Sequence, residues 1–145
     1  MTPQKQKFLH NPPEKYGDCH RTCIACLLDI PRDEVPNWAE KYWDDVDAWN
    51  AAEEKFLAEK GLSKVTVAFY GDSGVEAVLS HMGTLNPGRY YMLTAESRTG
   101  TNHAVICCGD KIVWDPSIND SGIVGPALDG YFWLDFLIPL NMVKK

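Results

Sequence analysis

The first half of the chain carries apolar residues at helical spacing. Between Cys19 and Leu28 they recur on one face, Asp18 stands where an N-cap belongs, and a proline follows the end. A second apolar stripe predicts a helix over about 44–60, which Gly61 ends. We therefore expect the fold to begin with two helices, the first of which is dense and apolar enough to be central.

The later part of the chain alternates apolar and polar residues in the manner of strands. The stretch 64–70 predicts a half-buried strand, and the capping-box spacing of Ser73 and Glu76 predicts a short helix after it. Helices first and sheet second indicate an α+β domain, in which a largely antiparallel sheet packs against the N-terminal helices. The other expected strands cover 89–94, 103–108, 111–114 and 131–140.

Length, composition and charge limit the class of protein. With 145 residues, 45% of them hydrophobic, we expect a single domain over 1–145 whose segment 1–15 is polar and contains prolines. The 14 Lys and Arg residues against 20 Asp and Glu residues leave no basic stripe, so nucleic acid is not an expected partner. No stretch resembles a signal peptide or reaches membrane-spanning length. We therefore predict a cytoplasmic protein with no membrane partner; no pattern specifies an oligomeric state.

Three of the five cysteines form a C-x3-C-x2-C run of Cys19, Cys23 and Cys26. The odd count favours free thiols over a disulfide framework. The spacing matches an iron–sulfur ligand set, but such ligands normally lie on an irregular loop, and structural zinc usually takes its cysteines from tight turns. Here the spacing is also that of one helix face. We predict no metal and no cofactor, with Cys23 and Cys26 as packing residues.

Cys19 differs from the other two because it begins the helix. The partial positive charge of a helix N-terminus favours the thiolate and lowers the pKa of such a thiol. His103 opens a strand at a sheet edge, where its imidazole can reach a helix N-terminus and accept a proton. Asp115 ends the next strand, where its carboxylate could accept Nδ1–H of that imidazole and fix its orientation. Together the three residues predict thiol-dependent catalysis.

The hairpin between His103 and Asp115 provides a geometric condition for this triad. The two residues are twelve positions apart, so a plain two-residue turn at 109–110 with regular pairing would place them on opposite sides. We therefore predict either a three-residue loop at 109–111 or a bulge in one strand.

At these residues the chain resembles the papain-like cysteine peptidase fold. It is most similar to the C39-like group of double-glycine leader peptidases, and more distantly to the NlpC/P60-like group. The resemblance rests on the Asp18-Cys19 pair that opens a helix, on His103 followed by three apolar residues, and on Asp115-Pro116 after a hairpin. It implies that Cys19 is the nucleophile, that His103 is the general base and then acid, and that Asp115 orients the histidine.

One departure from the family concerns the oxyanion donor. The family glutamine that stabilises the oxyanion would fall at Pro13, which has no side-chain or backbone N–H to donate. Asn11 is the nearest amide that could replace it, together with the backbone N–H of Cys19.

The function that these residues favour is a cysteine-dependent hydrolase of the peptidase or amidase kind. It would act on an amide, isopeptide or thioester bond of a peptide or a small amide-containing substrate, through an acyl-enzyme. An acyl transferase would use the same triad. The alternative is a catalytically impaired papain-like binding module, which holds a peptide or small ligand in the former cleft. We also expect the irregular segment 117–130 to flank the active site, and His10, His20 and His81 to be surface or capping groups.

Overall fold

The computed structural model describes residues 1–145 and contains four α-helices and one five-stranded sheet. The helices are α1 (Cys19–Leu28), α2 (Trp38–Lys41), α3 (Val46–Glu59) and α4 (Gly74–Leu85), and the strands are β1 (Leu62–Tyr70), β2 (Tyr90–Glu96), β3 (Asn102–Cys108), β4 (Lys111–Trp114) and β5 (Tyr131–Pro139). Every pair of neighbouring strands is antiparallel, in the order β1-β5-β2-β3-β4, so the predicted α+β class is confirmed. None of the helices combines the length and the apolarity needed to cross a membrane.

The sheet lies between helices on both faces. On one face α1 is the central helix, and its fully buried Ile24 packs in one cluster with Met92 and Ile106 of the sheet. On the other face Val78 and Met82 of α4 join a second cluster built on β2, β3 and β5. The prediction that the sheet packs on N-terminal helices thus describes one face only. The apolar side of α4 must also be buried, and it packs against the opposite face of the sheet.

The side chain of Asp18 does not cap α1, although Asp18 holds the N-cap position. Its Oδ1 accepts the backbone N–H groups of Lys7 and Phe8 at 2.9 and 2.8 Å, and its Oδ2 accepts Nε–H of Arg21 at 3.1 Å. The predicted capping box at Ser73 does not form either. At Asp18 the backbone N–H groups of a distant segment take the place of those of the helix, because they also require acceptors in the folded chain.

The N-terminal segment runs past α1 towards the chain that follows β4. Thr2 donates its backbone N–H to the carbonyl of Cys26, and Gln6 donates its own to the carbonyl of Pro116 at 2.8 Å. Since Lys7 and Phe8 are bound to Asp18, the stretch 6–8 is fixed between the start of α1 and the residue after Asp115. A segment that looks like a polar tail in the sequence is therefore part of the wall beside the candidate site.

The hairpin of β3 and β4 contains a bulge. The turn at 109–110 has two residues, and the pairing then skips Val113, so the predicted bulge is present and the alternative three-residue loop is wrong. The extra residue reverses the side on which the next residues of the chain project. This brings Asp115 to the side of His103. The paired residues are Cys108 with Lys111, Cys107 with Ile112, and Ile106 with Trp114.

Candidate active site

Cys19 is the first residue of α1 and lies against an open edge of β3. Strand β4 pairs with β3 only from Ile106 onward, which leaves the start of β3 without a partner on that side. There Cys19 lies beside His103 and the backbone of Ala104, and both groups lower the pKa of its thiol. The bulged hairpin therefore exposes the strand edge at which the thiol is held.

The imidazole of His103 joins Cys19 to Asp115. Its Nε2 lies 2.7 Å from Oδ1 of Asp115, so the expectation that Asp115 would bind Nδ1 is wrong. With Nε2 engaged, Nδ1 is the nitrogen left for the thiol. The carboxylate of Asp115 also accepts the backbone N–H groups of Ser117 and Gly122, each at 2.9 Å. The irregular segment after β4 thus fixes the carboxylate, which in turn orients the ring.

The electrostatics of the three groups favour a charged pair. Burial raises the pKa of Cys19, but the hydrogen bond and positive charge of His103, with the Ala104 N–H and His20, more than reverse this and leave the pKa lowered. Burial lowers the pKa of His103, whereas its bonds to Asp115 and Cys19 raise it to about 9. Burial raises the pKa of Asp115, and its hydrogen bond from His103 brings it down to about 2. The lowered pKa of the thiol and the raised pKa of the imidazole both favour the thiolate–imidazolium form of the pair over the neutral form.

The ion pair of His103 and Asp115 should make stability depend on pH. The carboxylate stabilises the fold above its unfolded pKa near 4, and this is lost as the pH falls through about 2. The imidazolium stabilises it below the unfolded pKa near 6.5, and this is lost as the pH rises through about 9. We expect Asp115→Asn to cost about 2 kcal/mol in the free energy of unfolding between these limits, and less outside them.

The measurement is urea unfolding from pH 2 to pH 10, with the exposed Asp72→Asn as the control. Asp72 makes no ion pair, so its replacement should leave the difference from wild type small and flat over this range. A constant deficit of Asp115→Asn at every pH would contradict the ion pair.

The site lies in the wall of a cleft with a volume of about 740 Å³. The predicted position of the 117–130 segment is confirmed, since Ser117, Asn119, Ser121 and Leu128 line this cleft. No Asp, Glu, Lys or Arg side chain lines it, although the chain as a whole carries a net charge of −6. Aromatic side chains, hydroxyls and amides make up most of the wall. The cleft is suited to a ligand that is largely uncharged in its main part.

Two histidines expected at the surface line the cleft instead. His10 accepts the backbone N–H of Gly17 through Nδ1 at 3.1 Å, and burial lowers its pKa. His20 is bound through Nε2 to Oε1 of the buried Glu53 at 2.8 Å. Neither contact follows a local sequence pattern, because the partners lie seven and 33 positions away. His81 is exposed on α4, as expected.

Two of the side-chain amides that line the cleft are candidates for an oxyanion donor. Asn11, the predicted oxyanion donor, is exposed at the rim, and its backbone pairs with Lys15 in a small turn. Gln6 is buried and donates from Nε2 to the carbonyl of Phe8 at 2.6 Å, which leaves the second Nε2–H available and Oε1 without a partner. Gln6 lies thirteen positions before the cysteine in a polar segment, where no sequence pattern marks it as a site residue. Only the hydrogen bonds of residues 6–8 with Asp18 and Pro116 place Gln6 in the cleft wall.

The other cysteines of the run have a different environment. Cys23 and Cys26 are fully buried in the core cluster of α1, which confirms them as packing residues. Burial leaves the pKa of both thiols raised, whereas at Cys19 the effect of burial is reversed by His103. In this fold no three side chains of His, Cys, Asp or Glu are grouped so that they could hold a metal ion.

The arrangement thus places a thiol, an imidazole, a carboxylate and a buried amide around one cleft. Such a set can form and resolve a covalent acyl intermediate. Function is inferred here from this geometry, because comparison with known protein families, with curated proteins and with solved structures finds no match to the chain.

Proposed function

We propose that the protein is a cysteine-dependent hydrolase, of the peptidase or amidase kind, that cleaves an amide, isopeptide or thioester bond. The observation that carries this proposal is the contact of His103 with Asp115 at 2.7 Å, beside the Cys19 thiol whose pKa the same imidazole lowers. If Cys19 only filled space in the core, it would need neither a histidine–aspartate pair beside it nor a position in a cleft wall. Lowering of the Cys19 pKa supports the same conclusion.

The reaction begins with attack of the Cys19 thiolate on the substrate carbonyl carbon. The tetrahedral intermediate carries the negative charge on the former carbonyl oxygen. The His103 imidazolium then donates its Nδ1 proton to the leaving nitrogen or sulfur, and the bond to that atom breaks. This leaves a thioester on Cys19 and a neutral imidazole.

The second half of the reaction releases the acid product. Neutral His103 accepts a proton from water, and the hydroxide attacks the thioester carbonyl. Collapse of the second tetrahedral intermediate expels the Cys19 thiolate and leaves the imidazolium, so both groups return to their starting state. Asp115 stays ionised throughout and stabilises the charged ring.

Gln6 and the backbone N–H of Cys19 are the proposed oxyanion donors. The amide of Gln6 is buried beside the start of α1 and has one free N–H, whereas Asn11 is exposed at the rim. A donor that is already fixed stabilises developing charge better than one that must be ordered first. Gln6 thus supplies the amide that the proline at position 13 cannot.

The order of the residues and the elements that carry them support a papain-like assignment, nearest to the C39-like group. The cysteine opens the central helix, the histidine lies on a sheet strand, and the aspartate follows the next strand. We propose a peptide or a small amide-containing molecule as the substrate. The proposed location is the cytoplasm, to which five unpaired cysteines are suited.

Turnover of an activated ester tests the proposed function. Wild-type protein should release p-nitrophenolate from p-nitrophenyl acetate well beyond one equivalent, and Cys19→Ala should not. Cys23→Ala is not a suitable control because its site is in the core, so the partly exposed Cys108→Ala is used. Release that stops at or below one equivalent would instead support the binding module, with a cleft that no longer completes the reaction.

Alkylation by iodoacetamide near pH 6 should depend on His103. Without the imidazole, Cys19 loses the main cause of its lowered pKa, so we expect its thiolate fraction to fall. Between a full thiolate and an ordinary thiol the fall at this pH is about 300-fold, and the greater nucleophilicity of a less acidic thiolate restores part of it. We therefore expect His103→Ala to label more slowly than wild type, by up to about 30-fold. Peptide mapping by mass spectrometry measures the rate at each cysteine.

The control variant is His81→Ala, which removes an exposed histidine on α4. Its labelling rate should match that of wild type. Labelling of Cys19 in the wild type no faster than that of Cys108 would contradict an activated thiolate.

A further inference from the structure

A second imidazole–carboxylate pair lies beside the first. His20 follows Cys19 in α1, and its Nε2 is 2.8 Å from Oε1 of Glu53 on α3. The other oxygen of Glu53 accepts a hydrogen bond from Nζ of Lys64 on β1, also at 2.8 Å. Glu53 is 1% exposed, so its carboxylate is held between these two donors. The proposed mechanism uses none of the three residues.

Neutralising the charge of Glu53 does not by itself explain why His20 lies in the cleft wall. Lys64 already supplies a full positive charge to that carboxylate. His20 lines the cleft, with 17% of its side chain exposed, and the rings of Trp38 and Trp49 meet its imidazole edge-on. Since Nε2 is bound to Glu53, Nδ1–H is the donor left for a bound molecule. The ring is therefore fixed in the cleft wall next to the nucleophile.

His20 is also the one cleft residue outside the triad whose surroundings favour a positive charge. Burial lowers its pKa, but Glu53 raises it, and the result is a raised pKa; Lys64 opposes the effect, and Asp135 on β5 adds to it. The third histidine, His10, accepts an N–H through Nδ1 and has a lowered pKa. Apart from His103, His20 is thus the cleft histidine whose carboxylate partner favours the charged form, and it lies on the same helix turn as Cys19.

We propose that His20, held by Glu53, binds a carboxylate of the substrate, so that the substrate of the proposed hydrolase is a C-terminal peptide residue or an N-acyl amino acid. This inference rests on the proposed function, because it places the carboxylate next to the bond that Cys19 attacks. Leu9, Trp43 and Trp49 line the same cleft and suit an apolar side chain on that residue. A single anionic group also agrees with a cleft that is otherwise uncharged.

Binding of a matched pair of small ligands tests this proposal. The probes are N-acetyl-phenylalanine and N-acetyl-phenylalanine amide, titrated near pH 6 into the Cys19→Ala variant and followed by protein NMR shifts at the cleft. We expect the acid to bind about tenfold more tightly than the amide, because a hydrogen bond between charged groups is stronger than a neutral one. This comparison needs no variant of His20.

The second arm adds His20→Gln to the Cys19→Ala variant. Glutamine can still donate to Glu53 but cannot carry a charge, so the preference for the acid should disappear. His10→Gln is the matched control and should retain the preference. Equal affinity for acid and amide, no binding of either, or a preference that survives His20→Gln would each overturn the proposal.

The outcomes separate this inference from the proposed function. Turnover of p-nitrophenyl acetate with equal binding of acid and amide would overturn the carboxylate site alone. A preference for the acid without turnover would overturn the hydrolase and leave a binding cleft for carboxylates.

Discussion

Replacing Gln6 by alanine is expected to slow acylation of Cys19 by p-nitrophenyl acetate about a hundredfold. Acylation passes through a tetrahedral oxyanion, which the free N–H of the buried Gln6 amide would stabilise. Alkylation by iodoacetamide displaces iodide at a saturated carbon and forms no oxyanion. The same variant should therefore alkylate at nearly the wild-type rate, provided that the wall formed by 6–8 remains in place.

Asn11→Ala is the matched control for this experiment. Asn11 also lines the cleft, but it is exposed and its side chain makes no hydrogen bond in the structure, so acylation should be little affected. Initial rates of nitrophenolate release give acylation, and mass spectrometry gives alkylation. Slow acylation by Asn11→Ala with normal acylation by Gln6→Ala would return the oxyanion role to Asn11. Loss of both reactions in Gln6→Ala would indicate a structural role only.

Asp18→Ala is expected to lower the free energy of unfolding by about 3–5 kcal/mol. The fully buried carboxylate accepts two backbone N–H groups and the guanidinium of Arg21. Its removal leaves a buried arginine without its nearest counter-charge and two N–H donors without acceptors. Urea unfolding, followed by tryptophan fluorescence, measures the loss.

Asp44→Ala provides the comparison for a solvent-exposed aspartate. Asp44 precedes α3 and makes no ion pair, so its replacement should change the free energy of unfolding by less than about 0.5 kcal/mol. If the two variants had the same stability, the contacts of Asp18 would contribute nothing net. A large loss at Asp18 would show that the N-terminal segment is tied to α1 by a cooperative part of the fold.

The periodic parts of the chain were predictable, because period and burial are local properties. Helix α1 begins and ends at the predicted residues, and every predicted strand is present within a few positions. Asp18 holds the predicted N-cap position, but its side chain does not cap the helix, and the predicted capping box at Ser73 does not form, because side-chain hydrogen bonds depend on which donors the tertiary fold brings near. The position of α4 was missed for a related reason, since an amphipathic pattern shows that a face is buried but not which side of a sheet buries it.

The residues of the candidate site also fall into two groups, those that the sequence indicates and those that only the tertiary fold places there. Cys19, His103 and Asp115 could be selected because each stands at the end of a predicted element, and the structure brings them together. Gln6 and His20 could not be selected, because one lies in a segment without periodicity and the other binds a glutamate on a different helix. The sequence also could not predict which ring nitrogen of His103 faces Asp115, since this depends on how β3 and β4 approach α1.

The bulge at Val113 makes the candidate site depend on the number of residues in the hairpin more than on which residue forms the bulge. The side chain of Val113 is exposed, so many residues could stand at this position with little effect on the fold. Deleting the residue is different, because regular pairing would then continue through the hairpin and turn the aspartate to the other face of the sheet. We therefore expect the contact between the histidine and the aspartate to tolerate substitutions at position 113. Insertion or deletion of a single residue between the two should disrupt it.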